Sequence, residues 1–216
     1  MKKFAFILAC LCVMPAVAEE YIDEYDYYDY SNTTTNKYET YTGIRIHKNE
    51  SLALKFDVRD GVNSTVRTDN FGFGAVVGNR LSNHVKIEFE TLYTGTEETK
   101  RANKYDFDVW ANMFNVYIFQ EYEQTVAPYV GLGLGFATIW GDVRAPYGNL
   151  SDTVFDLSYS IMAGVNFTLN NRIDLNLGIK YQYYGEVEHK RYNETFATTD
   201  VDATEFYFGA VYKFGI

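Results

Sequence analysis

The stretch APYVGLGLGFATIW, from Ala127 to Trp140, alternates between two kinds of side chain, and this alternation decides the fold. The even positions from Val130 onward are mostly large and apolar, whereas the odd positions are small, with glycine at Gly131, Gly133 and Gly135. A dinucleotide-binding loop has a different glycine spacing and leads into a helix, which nothing after Trp140 predicts. A period of two predicts a β-strand with one bulky face and one face of small residues.

The same alternation recurs along most of the chain. It is clearest in four further runs, residues 85–93, 153–169, 173–183 and 206–216, each bounded by polar turn residues. The chain has 20 tyrosines and 16 phenylalanines but only 3 prolines. Aromatic residues favour strands, and scarce proline permits long ladders without a missing N–H donor. The sequence therefore predicts an all-β protein.

The predicted connections alternate in length. Short turns are predicted near residues 80–83, 121–124 and 169–171, and long polar loops near residues 60–68, 94–104, 142–152 and 186–202. These connections join eight strands. Short turns at one end and longer loops at the other are typical of bacterial outer-membrane barrels, in which the short turns are periplasmic. The predicted fold is an eight-stranded antiparallel up-and-down transmembrane β-barrel.

Two runs leave alternatives open. Between Thr42 and Val58 the alternation is interrupted at Lys48 and Glu50, so this run is either one long first strand or a hairpin in which residues 42–48 form a separate strand. Single-chain bacterial barrels have even strand counts, which favours one strand. The run from residue 105 to 119 is mixed on both faces, so its alternation does not decide which face meets lipid, and a bulge could switch it.

The bulky face of the strands is predicted to point outward. Eight strands enclose only enough space for side chains, so the face rich in glycine, serine and charged residues must be the inner one. The outer face must then meet an apolar medium, which in this architecture is lipid. The alternative is a soluble, lipocalin-like barrel with its apolar face inside.

Charged residues on the inner face are interpreted as an ion-paired core rather than a pore or proton path, because unpaired buried charges are costly. This predicted lumen network comprises Lys55, Arg59, Lys86, Glu88, Glu90, Asp156, Asp174, Lys180, Glu205 and Lys213. Aromatic residues on the outer face are predicted to form girdles at the two membrane interfaces. Their members are Phe71, Phe73, Tyr93, Trp140, Phe155, Tyr183 and Phe206 towards the long loops, and Phe167, Tyr212 and Phe214 towards the short turns.

The first residues have the three-part form of a secretory signal peptide, with a basic start, an apolar run and the small residues Ala16-Val17-Ala18. We predict a signal peptide at 1–18, a flexible acidic segment rich in tyrosine and threonine at 19–40, and the barrel at 41–216. Both cysteines, Cys10 and Cys12, lie in the predicted signal peptide, so the mature chain has no thiol for disulfides, metal binding or catalysis. Its net charge, more negative than the −10 of the whole chain, argues against nucleic acid as a partner.

No catalytic constellation stands out. The three histidines, His47, His84 and His189, show no recognisable arrangement with a serine or an acid, so we predict no enzyme activity, no catalytic residues, no cofactor and no metal site. The predicted loops are rich in tyrosine, asparagine and threonine, for instance KRYNETFATTD at residues 190–200. Exposed loops on a rigid scaffold are where binding residues concentrate.

Three segments resemble a known family. They are FGFGAVVGNRLSNHVKIEFETLYTG (71–95), PYVGLGLGF (128–136) and GAVYKFGI (209–216), and they are similar to the opacity-type, surface-antigen family of bacterial outer-membrane barrels. The resemblance covers residues 41–216 and implies a structural and surface-antigen role, with outer loops that bind a host or surface ligand. The alternatives are a small porin or a lipid-modifying outer-membrane enzyme.

The resemblance also implies two partners, outer-membrane lipid and the barrel-assembly machinery. The assembly machinery would recognise the C-terminal strand, in which Gly209, Tyr212 and Phe214 have suitable spacing. The chain departs from the family pattern by ending in Gly215-Ile216 rather than in an aromatic residue.

Overall fold

The computed structural model describes residues 39–58, 64–100, 103–121, 125–145, 148–191 and 194–214. The predicted signal peptide, residues 19–38 of the acidic segment, and Arg59 lie outside the described residues. Lys55 belongs to a described strand, but its side chain is outside the described part. Within these ranges no helix is long and apolar enough to cross a bilayer.

Eight antiparallel strands form a closed barrel, as predicted. Each strand pairs with the next along the chain, and the first pairs with the last to complete the ring. The strands are β1 (Glu39–Val58), β2 (Ser64–Arg80), β3 (Val85–Lys100), β4 (Asn103–Phe119), β5 (Val126–Ala145), β6 (Gly148–Asn170), β7 (Ile173–Arg191) and β8 (Glu194–Phe214).

The short turns after β2 and β6 lie at one end of the barrel, where the sequence predicts them, and residues 122–124 of the predicted turn after β4 lie outside the described residues. Between β6 and β7 the Asn170 side chain accepts hydrogen bonds from the backbone N–H groups of Arg172 and Ile173, at 2.8 and 3.0 Å. Between β2 and β3 the Ser82 hydroxyl accepts one from the Val85 N–H at 3.1 Å. Such side chains satisfy backbone donors that a tight turn leaves without a ladder partner. We call this end of the barrel the short-turn end.

The segments predicted as long polar loops are mostly paired strand, and this part of the prediction is wrong. Pairing continues to Lys100 opposite Asn103, to Ala145 opposite Gly148, and to Arg191 opposite Glu194. The strands contain 16 to 23 residues, whereas about 9–11 suffice to cross a bilayer. Beyond the lipid the outer face of a strand can be polar, so the apolar alternation stops while backbone pairing continues.

Register shifts interrupt the barrel wall at four places among the described residues, and two of them, in β1 and β7, affect which side chains face the interior. In β1 the shift falls between Asn49 and Leu52 in the pairing with β2, so Thr42–Val58 is one bulged strand and the hairpin alternative is wrong. In β7 the shift falls between Tyr183 and Gly185, whose φ of 134° favours glycine. A one-residue shift changes which positions face inward. The alternation that assigned Lys55 to the inner face is therefore not continuous with that of the preceding residues.

Around the short-turn half of the barrel, bulky residues face outward, as predicted. Leu132 is 65% exposed and Phe114 is 69% exposed, whereas Tyr117 and Tyr129 are buried inside. This arrangement excludes the soluble lipocalin-like alternative. It also settles the orientation of β4, whose pairing with both neighbours continues without a shift. Its even positions from Phe114 to Ile118 are exposed, and its odd positions point into the barrel.

The half of the interior far from the short turns contains many apolar side chains beside buried polar ones such as Asn49 and Thr94, whereas the sequence predicts a polar lumen throughout. The apolar side chains pack into one buried cluster, which we call the outer apolar cluster: Leu92, Phe107, Val109, Ala111, Met113, Ala137, Ile139, Tyr184, Val187, Val201 and Ala203. In this half of β4, Phe107 and Val109 are buried while Asp108 accepts a hydrogen bond from the partly exposed Tyr93 hydroxyl. We call the part of the barrel with bulky apolar residues on its outer face the membrane band. Beyond it the same positions of β4 still face inward, but they are apolar and the outward ones are polar, as expected where the outer surface meets water.

We predict that valine at Gly131 destabilises the barrel, because a Cβ there would lie 2.6 Å from Tyr117 Cδ1 inside the packed interior. Overpacking of this kind costs roughly 1–3 kcal/mol. The measurement is the urea unfolding midpoint of the refolded protein in detergent micelles. Leu132→Val, on the neighbouring lipid-facing position, is the control and should change the midpoint much less. Equal shifts for the two variants would contradict the assigned orientation of this strand.

Candidate functional site

Six charged side chains meet at the centre of the barrel. They come from four strands, each on an inward position, and all are buried. We call them the central ion cluster: Arg45 and His47 from β1, Glu88 and Glu90 from β3, Lys180 from β7 and Glu205 from β8.

Arg45 forms one half of the central ion cluster. Its Nη1 and Nη2 donate to the two carboxylate oxygens of Glu88 at 2.7 and 2.8 Å, and Nη1 also lies 3.2 Å from Glu90 Oε1. Two tyrosine hydroxyls complete the Glu88 environment, with Tyr117 donating at 2.8 Å and Tyr41 at 3.2 Å. Bidentate arginine–carboxylate pairs are among the strongest hydrogen-bonded contacts in proteins and have one preferred geometry. This contact therefore positions β1 against β3 across the interior.

Lys180 and His47 form the other half. Lys180 Nζ lies 3.2 Å from Glu205 and 3.5 Å from Glu90, and the Tyr184 hydroxyl donates to Glu205. His47 Nδ1 is 2.8 Å from Glu205 Oε2, and its Nε2 is 3.2 Å from Glu90 Oε1. Both ring nitrogens of His47 thus lie beside a carboxylate, one from β3 and one from β8.

The central ion cluster fills the middle of the barrel, and its members are buried. The outer apolar cluster covers the central ion cluster on the side away from the short turns, because Tyr184 belongs to the former and hydrogen-bonds to Glu205 in the latter. Among the described residues no group of three or more His, Cys, Asp or Glu side chains is placed to hold a metal ion. The chemistry available at the centre is ion pairing between groups with little access to water.

The structure distributes the ten residues of the predicted lumen network over several places. Glu88, Glu90, Lys180 and Glu205 belong to the central ion cluster. Lys86, Asp174 and Lys213 lie nearer the short-turn end, where Lys213 Nζ is 2.9 Å from Asp174 Oδ1. Asp156 lies apart from both groups and accepts a hydrogen bond from the Glu186 N–H at 2.8 Å. The Lys55 side chain and Arg59 lie outside the described residues.

The sequence prediction missed several members of the interior. Arg45 and His47 could have been found, because they alternate with the apolar Ile44 and Ile46 on β1. The inward position of Tyr117 could not be predicted, because the local alternation did not decide which face of β4 points inward. Tyr184 could also have been found, because it continues the even inward positions of β7 that include Lys180 and Gln182; Val187 could not, because it follows the register shift.

The predicted girdle residues lie on the outer surface. Phe71, Phe73, Phe155, Tyr93, Phe206 and Phe214 are exposed, and Trp140 and Tyr183 are partly exposed. Phe155 stacks on Phe136 with ring centroids 5.2 Å apart. Tyr183 stacks on Tyr159 at 4.9 Å, and its hydroxyl donates to Asp200 at 3.3 Å. Most of these rings lie near the middle of their strands, whereas Phe214 lies at the short-turn end of β8, and girdles at the two membrane interfaces remain a prediction.

Comparison with known proteins agrees with the barrel geometry. Residues 5–214 match the family model described as "Outer membrane protein beta-barrel domain". Among solved structures, Neisserial surface protein A superposes with a TM-score of 0.58 at 16% identity, over 81% of this chain and 97% of that one. Ail, the attachment invasion locus protein of Yersinia pestis, gives 0.50 at 14%, over 82% and 99%. OprG from Pseudomonas aeruginosa gives 0.50 at 12%, over 84% and 97%. No curated protein sequence matches the chain.

We predict that Arg45→Met destabilises the barrel by about 3–5 kcal/mol, because it leaves Glu88 buried without its cation. The measurement is the free energy of unfolding in urea. The control is Arg80→Met, which removes a partly exposed ion pair to Glu121 and should cost about 0–1 kcal/mol. A double variant, Arg45→Met with Glu88→Gln, should recover part of the loss. Equal losses for Arg45→Met and Arg80→Met would contradict a central role for the cluster.

We also predict that the protein forms no steady channel. Among the residues that the structure describes, the central ion cluster and the outer apolar cluster fill the interior and leave ions no continuous polar path. The measurement is conductance across planar bilayers after reconstitution. Large conductance steps of uniform size would contradict a closed interior.

Proposed function

Because the chain belongs to the family of outer-membrane β-barrel domains and resides in the bacterial outer membrane, we propose that it is a surface antigen of the opacity type. In this proposal the barrel is a closed scaffold, and its long hairpins make the contacts outside the cell. The partners are outer-membrane lipid around the aromatic girdles and a host or surface ligand at the hairpins.

The observation that carries the proposal is the continuation of strand pairing far beyond the membrane band. In β7 and β8 the lipid-side aromatic residues end near Tyr183 and Phe206, yet pairing continues to Arg191 opposite Glu194. Below this hairpin the interior is packed, with Val187 and Val201 in the outer apolar cluster. A paired hairpin on a packed base loses less conformational entropy on binding than a flexible loop does. The paired β7–β8 hairpin thus offers a ligand outside the cell a surface of fixed shape.

The interior argues against the alternative functions. A small porin needs a polar path, and here ion pairs and apolar side chains occupy the centre and the outer half. A lipid-modifying enzyme needs reactive groups at a rim, whereas His47 is buried at the centre between two carboxylates. That the protein is not an enzyme is part of the proposal.

The C-terminal strand is proposed as the segment that the barrel-assembly machinery recognises. Tyr212 and Phe214 are exposed on the outer face at the short-turn end, with ring centroids 5.0 Å apart. The same strand closes the barrel by pairing with β1 from Thr40 onward. Recognition of this strand would therefore precede closure of the ring.

Structural neighbours support this proposal only through their shared fold. The printed names describe Neisserial surface protein A as a surface protein and Ail as an attachment invasion locus protein, solved with the heparin analogue sucrose octasulfate. At identities of 16% and 14%, the likeness supports a shared barrel fold and gives no information about a shared ligand. The ligand of this chain must be found by experiment on its own hairpins.

The test is to shorten the β7–β8 hairpin without disturbing the barrel. Removing residues 188–198 and joining Val187 to Thr199 through an Asn-Gly turn keeps the Val187–Thr199 pair and the outer apolar cluster. We expect bacteria that display the shortened protein to attach to epithelial cells and matrix-coated surfaces no better than bacteria without it. The measurement is the number of attached cells at equal surface expression.

The control shortens the β5–β6 hairpin in the same manner. Removing residues 144–149 keeps the Val143–Leu150 pair and should leave most of the attachment intact. If attachment is unchanged when residues 188–198 are removed, the β7–β8 hairpin is not the contact site.

A further inference from the structure

The interior opens into a small pocket at the short-turn end, opposite the outer hairpins. We call it the short-turn vestibule. Its lining includes Tyr41, Lys86, Phe119, Asn166, Asp174 and Lys213. Because short turns face the periplasm in outer-membrane barrels, the short-turn vestibule opens to that compartment.

Lys86 is the unusual member of this lining. It is only 8% exposed, and its Nζ lies 4.7 Å from the ring centroid of Tyr117 and 4.9 Å from that of Tyr129. Among the described residues, its Nζ has one hydrogen-bond acceptor, the neutral Asn166 Oδ1 at 3.5 Å. Within the described residues, no carboxylate lies within ion-pair distance of the Lys86 ammonium. Cation–π contacts offset only part of the cost of burying a charge.

The other cations around the pocket are already paired. Lys213 lies 2.9 Å from Asp174, and Arg80 lies 2.6 Å from Glu121. Glu88, the next inward residue on β3, is held by both guanidinium nitrogens of Arg45 and by two tyrosine hydroxyls. Lys86 is thus a mostly buried ammonium in the lining of an open pocket. The charged residues near it are already paired with other residues.

We propose that the short-turn vestibule binds a small organic carboxylate, whose charged end pairs with Lys86. The walls contributed by Phe119, Ala127 and Val211 suit an apolar body attached to that carboxylate. The lining also includes the acids Glu39, Glu121 and Asp174, which disfavour a dianion such as phosphate by like-charge repulsion. A singly charged anion with a short apolar body fits both features. This site is separate from the proposed surface contacts at the outer hairpins.

The experiment uses isotope-labelled protein in lipid nanodiscs and follows the backbone NMR signals of Asn166 and Asn176 during titration. Asn176 also lines the short-turn vestibule and donates to Asn166 Oδ1 at 2.6 Å. The probe is N-acetylalanine, and the neutral comparison is N-acetylalaninamide, which has the same body without the charge. We expect saturable shifts with the carboxylate and binding at least tenfold weaker with the amide. This ratio corresponds to the loss of a charge-assisted contact worth roughly 1.5–3 kcal/mol.

Two lysine variants provide the matched comparison. Lys86→Met should weaken binding of N-acetylalanine about tenfold or more, at about 1.4 kcal/mol per tenfold. Lys48→Met removes an exposed lysine of β1 that lies 3.7 Å from Glu50, and it should leave the affinity unchanged. N-acetylated trialanine distinguishes the source of the carboxylate, since tighter binding than N-acetylalanine indicates a peptide terminus and equal binding a free small acid.

The comparison of carboxylate and amide on the native protein does not depend on how the variants fold. The absence of saturable shifts with N-acetylalanine would overturn the proposal. Equal binding of acid and amide, or equal losses in Lys86→Met and Lys48→Met, would overturn it as well.

Discussion

The structure depends on closing the ladder of backbone hydrogen bonds. In lipid an unpaired N–H or C=O costs several kcal/mol, so a sheet that crosses the membrane must have no free edge. The pairing of β1 with β8, from Thr40 opposite Phe214 to Val58 opposite Ala197, removes that edge. Eight strands make a narrow ring, and the ring leaves space only for side chains. The closed interior and the ion pairs at its centre follow from this closure.

The interior has two layers because the surroundings of the wall change along its height. In the membrane band the outer face takes the bulky apolar residues, and the inner face is left with glycine, tyrosine and charge. Past the band the outer face meets water, and residues such as Phe107 and Val201 turn inward. The shift in β7 accompanies this change, because it brings the odd position Val187 inside, whereas the inward positions up to Tyr184 are even. The same physical rule, apolar side chains away from water, gives opposite patterns in the two layers.

The two ends of the barrel differ in what they can contact. The outer end carries paired hairpins above a dry apolar base, which suits contact with large surfaces. The short-turn end has a small pocket with Lys86 at its base, which suits a small anion. The central ion cluster separates the two, so an event at one end has no open route to the other. Binding at either end is therefore compatible with a barrel that does not conduct.

The sequence by itself determined the strand count, the placement of the short turns and the outward direction of the membrane band. It could do so because a period of two in runs such as Val130 to Trp140 records what each face of a strand contacts. Only the tertiary structure decided the register shifts, the orientation of β4 and the partners of each buried charge. Arg45 meets Glu88 from 43 residues away, and His47 meets Glu205 from 158. Contacts between residues so far apart depend on which strands pair and in which register, and local alternation carries no record of either.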